Sequence, residues 1–213
     1  MDTIKSKYHE TLAATVIKNL EKRQMEGYYC PTVEDAEKLA FSFLKDGQTV
    51  SFGGSMTLEE TGMLTALRHD PSIHLIDRST AKTPDETKKM YHDDLSSDVY
   101  FMSTNAITTG GELVNIDGTG NRVAALIYGP ETVVILAGMN KIAANVDEAL
   151  SRVHNVATAQ NCIRLDKKTP CAITGACADC LSPDCICNQV VITRRSGIKG
   201  RIKVLLIGES FGY

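Results

Sequence analysis

Five cysteines lie within one short stretch of this sequence, and thiols at this density favour metal binding. They are Cys171, Cys177, Cys180, Cys185 and Cys187. Two residues separate Cys177 from Cys180, a spacing that lets two thiolates bind one cation while the backbone turns around it. We predict a four-thiolate metal site formed by Cys171, Cys177, Cys180 and Cys187, with Cys185 as a spare thiol.

Three interpretations of these thiols compete: a metal site, a disulfide framework, and buried thiols without ligands. Residues 1–26 lack the continuous apolar core of a signal peptide, which predicts a cytoplasmic protein whose thiols stay reduced. That disfavours disulfides, and five thiols among polar neighbours are too many for simple apolar packing. Zinc and a [4Fe–4S] cluster both accept four thiolates, so both cofactors stay open.

A glycine-rich turn is the first of two candidate regions for binding an anion. A short β-rich run is followed by Gly53, Gly54, Ser55, Met56 and Thr57, and a capping box at Thr57 predicts the next helix. Backbone N–H groups at such a turn can bind phosphate or carboxylate. The turn lacks the lysine of a P-loop, so a purely structural turn stays the alternative. We predict ligand contacts from Gly53, Gly54, Ser55 and Thr57.

Residues 104–130 carry more polar groups than a connecting loop needs. The stretch is dense in Gly, Asn and Asp, which predicts a hairpin whose turns require positive φ. Glu112 is the candidate catalytic base or nucleophile, and Arg122 is the candidate anion clamp. An ordinary turn residue or solvated charge stays the alternative for each. The predicted ligand-binding residues here and at the next strand end are Asn105, Asn115, Asn121, Arg122 and Lys141.

The elements that must position these residues alternate between helices and strands. Apolar residues at three- and four-residue steps predict a long helix over 3–24. The predicted strands are 49–52, 73–76, 99–102, 133–136, 189–193 and 203–207. Helices are predicted from Thr32 to about Leu44, from Thr57 through Leu67, from Thr83-Pro84 to about Leu95, and after Asn140 or Asn145.

This alternation predicts an α/β fold with a mostly parallel sheet and flanking helices. Ligands of open α/β sheets bind beyond the carboxyl ends of the strands, where Ser55, Asn105 and Lys141 are expected to meet. We predict a single domain over 1–213. Its parts are N-terminal helices at 1–46, an α/β core at 47–160 and 188–213, and a cysteine-rich metal loop at 161–187.

Composition narrows the classes of partner. The formal net charge is −3, aromatic residues make up 6% and Trp is absent, so the sequence offers neither a basic field nor a stacking platform for nucleic acid. No apolar run reaches the roughly 18 residues that would predict a membrane helix. A small anionic metabolite is the expected ligand, and the long first helix makes a homodimer plausible.

Several segments together resemble the LUD (lactate-utilization) domain. They are 104–108, 111–115, 117–123, 129–130 and 138–142, and the turn at 53–57 is similar to that family's first glycine-rich turn. The cysteine run, with Thr174 to Pro183 as Thr-Gly-Ala-Cys-Ala-Asp-Cys-Leu-Ser-Pro, resembles a stand-alone variant of the family. The resemblance implies a NagB/RpiA/CoA-transferase-like fold and a place in organic-acid metabolism, beside iron–sulfur proteins.

Three functions follow as hypotheses. The first is a metal- or iron–sulfur-containing accessory or redox component of organic-acid metabolism, acting with a redox protein partner. The second is a CoA-transferase-like or isomerase-like enzyme in which Glu112 acts on a small anionic substrate. The third is a ligand-binding module in which zinc only stabilises the cysteine loop.

Overall fold

A six-stranded parallel sheet forms the centre of the protein in the computed structural model, which describes residues 3–213. Its strands, in spatial order, are β1 (Glu26–Cys30), β10 (Ile202–Ile207), β7 (Thr132–Gly138), β4 (Val99–Met102), β2 (Thr49–Phe52) and β3 (His74–Ile76). Every neighbouring pair in this sheet is parallel. The predicted α/β class with a mostly parallel sheet is therefore confirmed.

Nine α-helices are described in residues 3–213, and they lie around the sheets. They are α1 (Thr3–Lys22), α2 (Val33–Phe41), α3 (Met56–Glu60), α4 (Met63–His69), α5 (Pro84–Asp93), α6 (Asn121–Ile127), α7 (Val146–Arg152), α8 (Ala159–Arg164) and α9 (Pro170–Thr174). One face of the main sheet packs against α1 and α6, and the other against α2, α3 and α4. Parallel sheets bury both faces in this way because crossover helices cover each side.

A second sheet carries the polar hairpin. It has the order β8 (Ile142–Ala143), β5 (Ala106–Thr108), β6 (Leu113–Asp117) and β9 (Gln189–Thr193). The pair β5–β6 is antiparallel, so the predicted hairpin is present, and β9 pairs antiparallel with β6. Helix α7 and the π-helical turn Val153–Thr158 cover this sheet. The hairpin therefore belongs to a sheet of its own and not to the main sheet.

Local capping explains most of the helix starts. Thr83 accepts a hydrogen bond from the Glu86 N–H with Pro84 in the first turn, and Asn145 caps α7. The predicted capping box at Thr57 is wrong, because Ser55 caps α3 and accepts from the Leu58 N–H. Gly62, at φ 74°, then separates α3 from α4, where one continuous helix was predicted.

Several elements were not predicted, and β1 and α6 are two of them. Residues 1–46 were assigned to helices alone, yet β1 lies within them and pairs with β10 at the edge of the main sheet. Its sequence, Glu-Gly-Tyr-Tyr-Cys, has one fully buried side chain, so it lacks the apolar run that marks the inner strands. Helix α6 was also missed. It begins after Gly120, which has φ 91°, and the glycine-rich sequence there predicts a turn and not the start of a helix. No helix of residues 3–213 combines the length and the apolar character needed to cross a membrane.

Candidate functional site

A cavity of about 270 Å³ opens above the carboxyl ends of the central strands. The strands β2, β4 and β7 are neighbours in the sheet, and the residues that follow them line this cavity. Ser55 follows β2, Asn105 follows β4 and Lys141 follows β7, so the structure brings these three predicted residues together. The carboxyl edge of a parallel sheet is where open α/β folds bind ligands, which makes this cavity the candidate site.

The glycine-rich turn shapes one wall of the cavity. The Ser55 Oγ accepts from the Leu58 N–H at 3.3 Å, which leaves its O–H available as a donor, and α3 has only five residues, so its axial dipole is small. Thr57 lines the cavity and is 1% exposed, with its hydroxyl donating to the Phe211 carbonyl at 3.3 Å. The turn thus contributes shape and close approach more than the helix-end charge expected from sequence.

Gly54 is required because an arginine lies against it. A Cβ at Gly54 would overlap the Nη2 atom of Arg78. The Arg78 guanidinium lies 5.9 Å from the centre of the Tyr91 ring and, within residues 3–213, it makes neither a hydrogen bond nor an ion pair. Below it, burial raises the pKa of Asp94 to about 6, while the positive charge of Arg78 lowers it. Arg78 therefore offers the cavity a planar cation whose donors are unused.

Arg122 also lines the cavity, but its donors are already bound within the protein. Its Nε donates to Asp117 Oδ2 at 3.1 Å, and this ion pair is about one-tenth exposed on either side. The acceptors of its Nη1 and Nη2 atoms are Ser103 O, Asn115 Oδ1, Asn105 Oδ1 and Ile116 O. Arg122 consequently holds the hairpin to the end of β4. Its positive charge can attract an anion, but its N–H donors are already used within the protein.

Lys141 is the most deeply buried cation of the cavity, at 4% exposed. Its Nζ donates to the main-chain oxygen of Tyr213 at 2.8 Å. Burial lowers the pKa of Lys141 to about 7, and the positive charges of Arg152 and Arg122 contribute to this shift, whereas Glu60 opposes it. An ordinary lysine has a pKa of about 10.4, so this amine is unusually easy to deprotonate.

Glu112 lies outside this cavity. Its carboxylate binds the guanidinium of Arg23 and the hydroxyl of Thr108, and Arg23 also donates to the Gly110 carbonyl at 2.6 Å. These contacts attach the hairpin to the end of α1. Glu112 is thus held in a structural ion pair, and its placement gives no support to the catalytic role predicted for it.

The cysteine segment forms the opposite wall of the same cavity. Ile186 and Thr158 line the cavity. Ile186 also packs closely against Gly118, since a Cβ atom placed on Gly118 would lie 3.2 Å from the Ile186 Cβ. The Cys187 thiol lies 3.7 Å from the Thr158 hydroxyl. The two regions that the sequence presented separately, the anion site and the thiols, are therefore adjacent.

The four thiols predicted as ligands each lie beside a different polar partner. Cys171 is 3.3 Å from Thr169 Oγ1, Cys177 is 3.7 Å from His154 Nδ1, and Cys180 is 3.6 Å from Ser182 Oγ. Cys187 contacts Thr158, as described above. All seven cysteines are free thiols. Across residues 3–213, no three His, Cys, Asp or Glu side chains are arranged so that they could hold a metal ion.

Contacts between thiols link a different subset of the cysteines. Cys162, on α8, packs against Cys171, and the Sγ of Cys185, the residue considered spare, accepts a hydrogen bond from the Cys187 N–H at 3.3 Å. Burial raises the pKa of Cys187 to about 12, so this thiol is protonated as it stands. As arranged here, the predicted four do not fit one metal, and the loop must rearrange before they can bind it together.

Sequence reasoning found part of the cavity and missed the rest. Gly54, Ser55, Thr57, Asn105, Asn121, Arg122 and Lys141 line it, whereas Gly53, Asn115 and Glu112 are not among its lining residues. Gly53 has a steric role, because an added Cβ would lie 2.9 Å from the Tyr100 hydroxyl. Arg78 and Arg164 were missed. A signal for Arg78 was available, because it comes two residues after a predicted strand of a parallel sheet.

Comparison with solved structures shows the fold through a match that spans almost the whole chain. The chain is similar over 93% of its length to 98% of a DUF162 family protein from Deinococcus radiodurans, with a TM-score of 0.54 at 10% identity. It is also similar to about half of the ribose 5-phosphate isomerase A of Methanocaldococcus jannaschii and to part of the tetrameric eIF2B-beta2-delta2 complex of C. thermophilum. The similarity to the isomerase covers 53% of this chain and 54% of the isomerase chain, with 20% identity and a TM-score of 0.34. The similarity to the eIF2B complex covers 54% of this chain and 43% of the matched eIF2B chain, with 18% identity and a TM-score of 0.37.

A search of curated proteins gave no match. The sequence matches the LUD domain over residues 13–207, a span that runs from α1 to the end of β10 and includes every residue that lines the cavity except Tyr213. This span also contains the hairpin and the glycine-rich turn on which the resemblance was based. The chain therefore belongs to the LUD-domain family.

Proposed function

We propose that this protein binds a small anionic metabolite, a carboxylate or phosphate compound of organic-acid metabolism, in the cavity above the central strands. The observation that carries the proposal is the charge around that cavity. Arg78, Arg122 and Arg164 line it, against one carboxylate, Asp117, which is paired with Arg122. Lys141 also lines it, but its lowered pKa means that it does not add a full positive charge at neutral pH. A concave site with excess positive charge raises the local concentration of anions and stabilises them once bound.

The size of the cavity limits the ligand. A volume of about 270 Å³ lies just below the roughly 300–1,000 Å³ typical of sites that enclose drug-sized ligands. It therefore suits a metabolite of a few carbon atoms better than a whole dinucleotide. Arg78 is the group best placed to fix such an anion, since its guanidinium can form two parallel hydrogen bonds with a carboxylate or phosphate.

Replacing Arg78 with glutamine is expected to weaken anion binding about 10- to 100-fold, because one charge-assisted contact contributes about 1.5–3 kcal/mol. Isothermal titration calorimetry with inorganic phosphate, lactate and pyruvate measures the effect directly. Wild type is expected to bind at least one of these anions with unit stoichiometry, and the affinity is expected to fall as salt concentration rises.

Lys88→Gln is the control for Arg78→Gln. Lys88 is exposed on α5 and lines no cavity of residues 3–213, so its replacement removes the same formal charge elsewhere. Its affinity for the anion should stay within about twofold of wild type, as expected for a distant surface charge. Equal losses in both variants would indicate general charge attraction, and the absence of anion binding by wild type would contradict the proposed function.

A bound metal is a second candidate function, favoured by the thiol contacts in the segment beside the cavity. We propose that Cys171, Cys177, Cys180 and Cys187 bind a [4Fe–4S] cluster or zinc after the segment rearranges around it. Cys162 and Cys185 are alternative ligands, because each already contacts one of those four. A cluster would make the protein an electron-transfer component that needs a redox partner, whereas zinc would only stabilise the segment.

Protein purified without oxygen is expected to contain metal that is lost on replacing the cysteines. Elemental analysis and an absorbance spectrum distinguish the two cofactors, since thiolate-bound iron–sulfur absorbs in the visible and zinc does not. The Cys177→Ser/Cys180→Ser variant should lose the metal, whereas Cys30→Ser, a buried thiol on β1, should retain it. The absence of stoichiometric metal from the wild-type protein, or an equal metal content in the two variants, would contradict this candidate.

A further inference from the structure

Lys141 is held in the cavity in a way that an ordinary anion-binding lysine is not. Its side chain lines the cavity and is 4% exposed, and its position is fixed by the 3-10 turn after β7. An ammonium group has three N–H donors, but within residues 3–213 the Nζ atom has one hydrogen-bond acceptor, the Tyr213 main-chain oxygen at 2.8 Å. A charged ammonium would leave two donors unsatisfied in a buried place, whereas a neutral amine would leave one donor and an uncharged lone pair, which costs less.

The charges around Lys141 also favour the neutral amine. Arg152, whose guanidinium is fixed by the main-chain oxygens of Asn140 and Asn105, and Arg122 both repel an additional positive charge. Glu60 is the acidic group that acts in the opposite direction, and its carboxylate is engaged by the Gly212 N–H at 2.6 Å. Lysines become nucleophilic in proteins when they are buried beside other cations in this way.

We propose that the amine of Lys141 forms a reversible imine with a small carbonyl compound that carries an anionic group, such as a 2-oxo acid. The inference rests on the proposed function, because the cations of the cavity must first hold the anionic group. It adds a carbonyl to the chemistry of the ligand, which simple anion binding does not require. Arg78 and Lys141 line the same cavity, so an anionic compound held there by the cavity's cations shares one enclosed space with the Lys141 amine.

The step balances without an added oxidant or reductant. The lone pair of the Lys141 Nζ attacks the carbonyl carbon, and the oxygen takes up a proton to give a carbinolamine. The carbon–nitrogen double bond then forms as the oxygen leaves as water, with both hydrogens of the original amine removed from the nitrogen. Water addition reverses the sequence and releases the carbonyl compound.

Trapping with wild-type protein tests the inference without depending on any variant. The protein is incubated with pyruvate and cyanoborohydride at neutral pH, digested, and mapped by mass spectrometry. Cyanoborohydride delivers hydride to an imine and fixes the pyruvate carbons on the nitrogen. Because burial lowers the pKa of Lys141 to about 7, a far larger share of this amine is neutral at pH 7 than of an exposed lysine, whose pKa is about 10.4. Modification is therefore expected to accumulate at Lys141 well before any exposed lysine.

Variants separate this inference from anion binding itself. Lys141→Met should abolish the fast modification, and Lys88→Met, which removes an exposed lysine of α5, should leave it unchanged. Arg78→Gln should slow it, because the carboxylate is no longer held. Calorimetric binding of pyruvate without modification of Lys141 would overturn the imine and leave the proposed function intact. Modification spread evenly over exposed lysines would overturn the imine as well. If pyruvate neither bound to the protein nor modified Lys141, the result would contradict both the imine and the proposed function.

Discussion

Arg122→Met is expected to destabilise the protein by about 3–5 kcal/mol, the cost typical of removing one partner from a buried, hydrogen-bonded ion pair. The guanidinium makes five hydrogen bonds, and its loss leaves Asp117 as a buried carboxylate without a counterion. It also leaves the side-chain oxygens of Asn105 and Asn115 without their shared donor. Equilibrium urea unfolding, followed by far-UV circular dichroism, measures the change.

Two further variants test the reason for that loss. Asp117→Asn/Arg122→Met removes the orphaned charge, so its loss of stability should be smaller than that of Arg122→Met alone. Arg195→Met, at an exposed position, should change stability by no more than about 0.5 kcal/mol. A loss below about 1 kcal/mol in Arg122→Met would show that the network is dispensable, and the hairpin would then need another explanation for its position.

Lys141→Met is expected to be more stable than wild type at pH 6, by an amount on the order of 3 kcal/mol. The pKa of Lys141 is lowered to about 7 in the folded protein, mainly by burial. Below pH 7 the folded protein must hold a buried charge, which the unfolded chain holds in water at no such cost. Between about pH 7 and 10 the unfolded chain binds more protons at this site than the folded protein does. Stability contributed by this group therefore rises with pH through that window.

The measurement is the difference in unfolding free energy between Lys141→Met and wild type at several pH values from 6 to 9. Taking the difference removes the contributions of the cysteines and tyrosines, which ionise in both proteins. The advantage of the variant should shrink steadily above pH 7 and should be constant below pH 6. A difference that does not vary with pH would mean that Lys141 titrates like an exposed lysine, and the neutral amine would have to be abandoned.

The main sheet could be predicted because its inner strands carry their own signal. Segments such as 99–102 and 133–136 are continuous apolar runs, and they became fully buried strands between two helical layers. The edge strand β1 has no such signal, because an edge strand with half-exposed side chains does not need one. Ser55 and Thr57 both suit an N-cap, and only the three-dimensional turn decides which hydroxyl meets a free N–H.

Part of the candidate site could also be predicted from the order of the elements, and part could not. Ser55, Asn105 and Lys141 were predicted because strand ends in a parallel sheet share one edge, a rule that requires only the order of elements. Whether Glu112 and Arg122 face a ligand depended on which partner each side chain found, and both found partners within the protein. Cys162 was set aside because it lies away from the run at 171–187, yet α8 packs it against Cys171. Such long-range pairings are not encoded by spacing.

The position of β10 in the main sheet sets an order for folding during synthesis. This strand is the last of those described, and it is paired on both sides, with β1 and with β7. A nascent chain that has emerged only through residue 193 therefore presents two open strand edges, one on each side of the gap. Exposed edges of this kind invite pairing with other chains until they are filled. We expect a ribosome-bound chain to gain protease resistance in the main sheet only after residue 207 has left the exit tunnel.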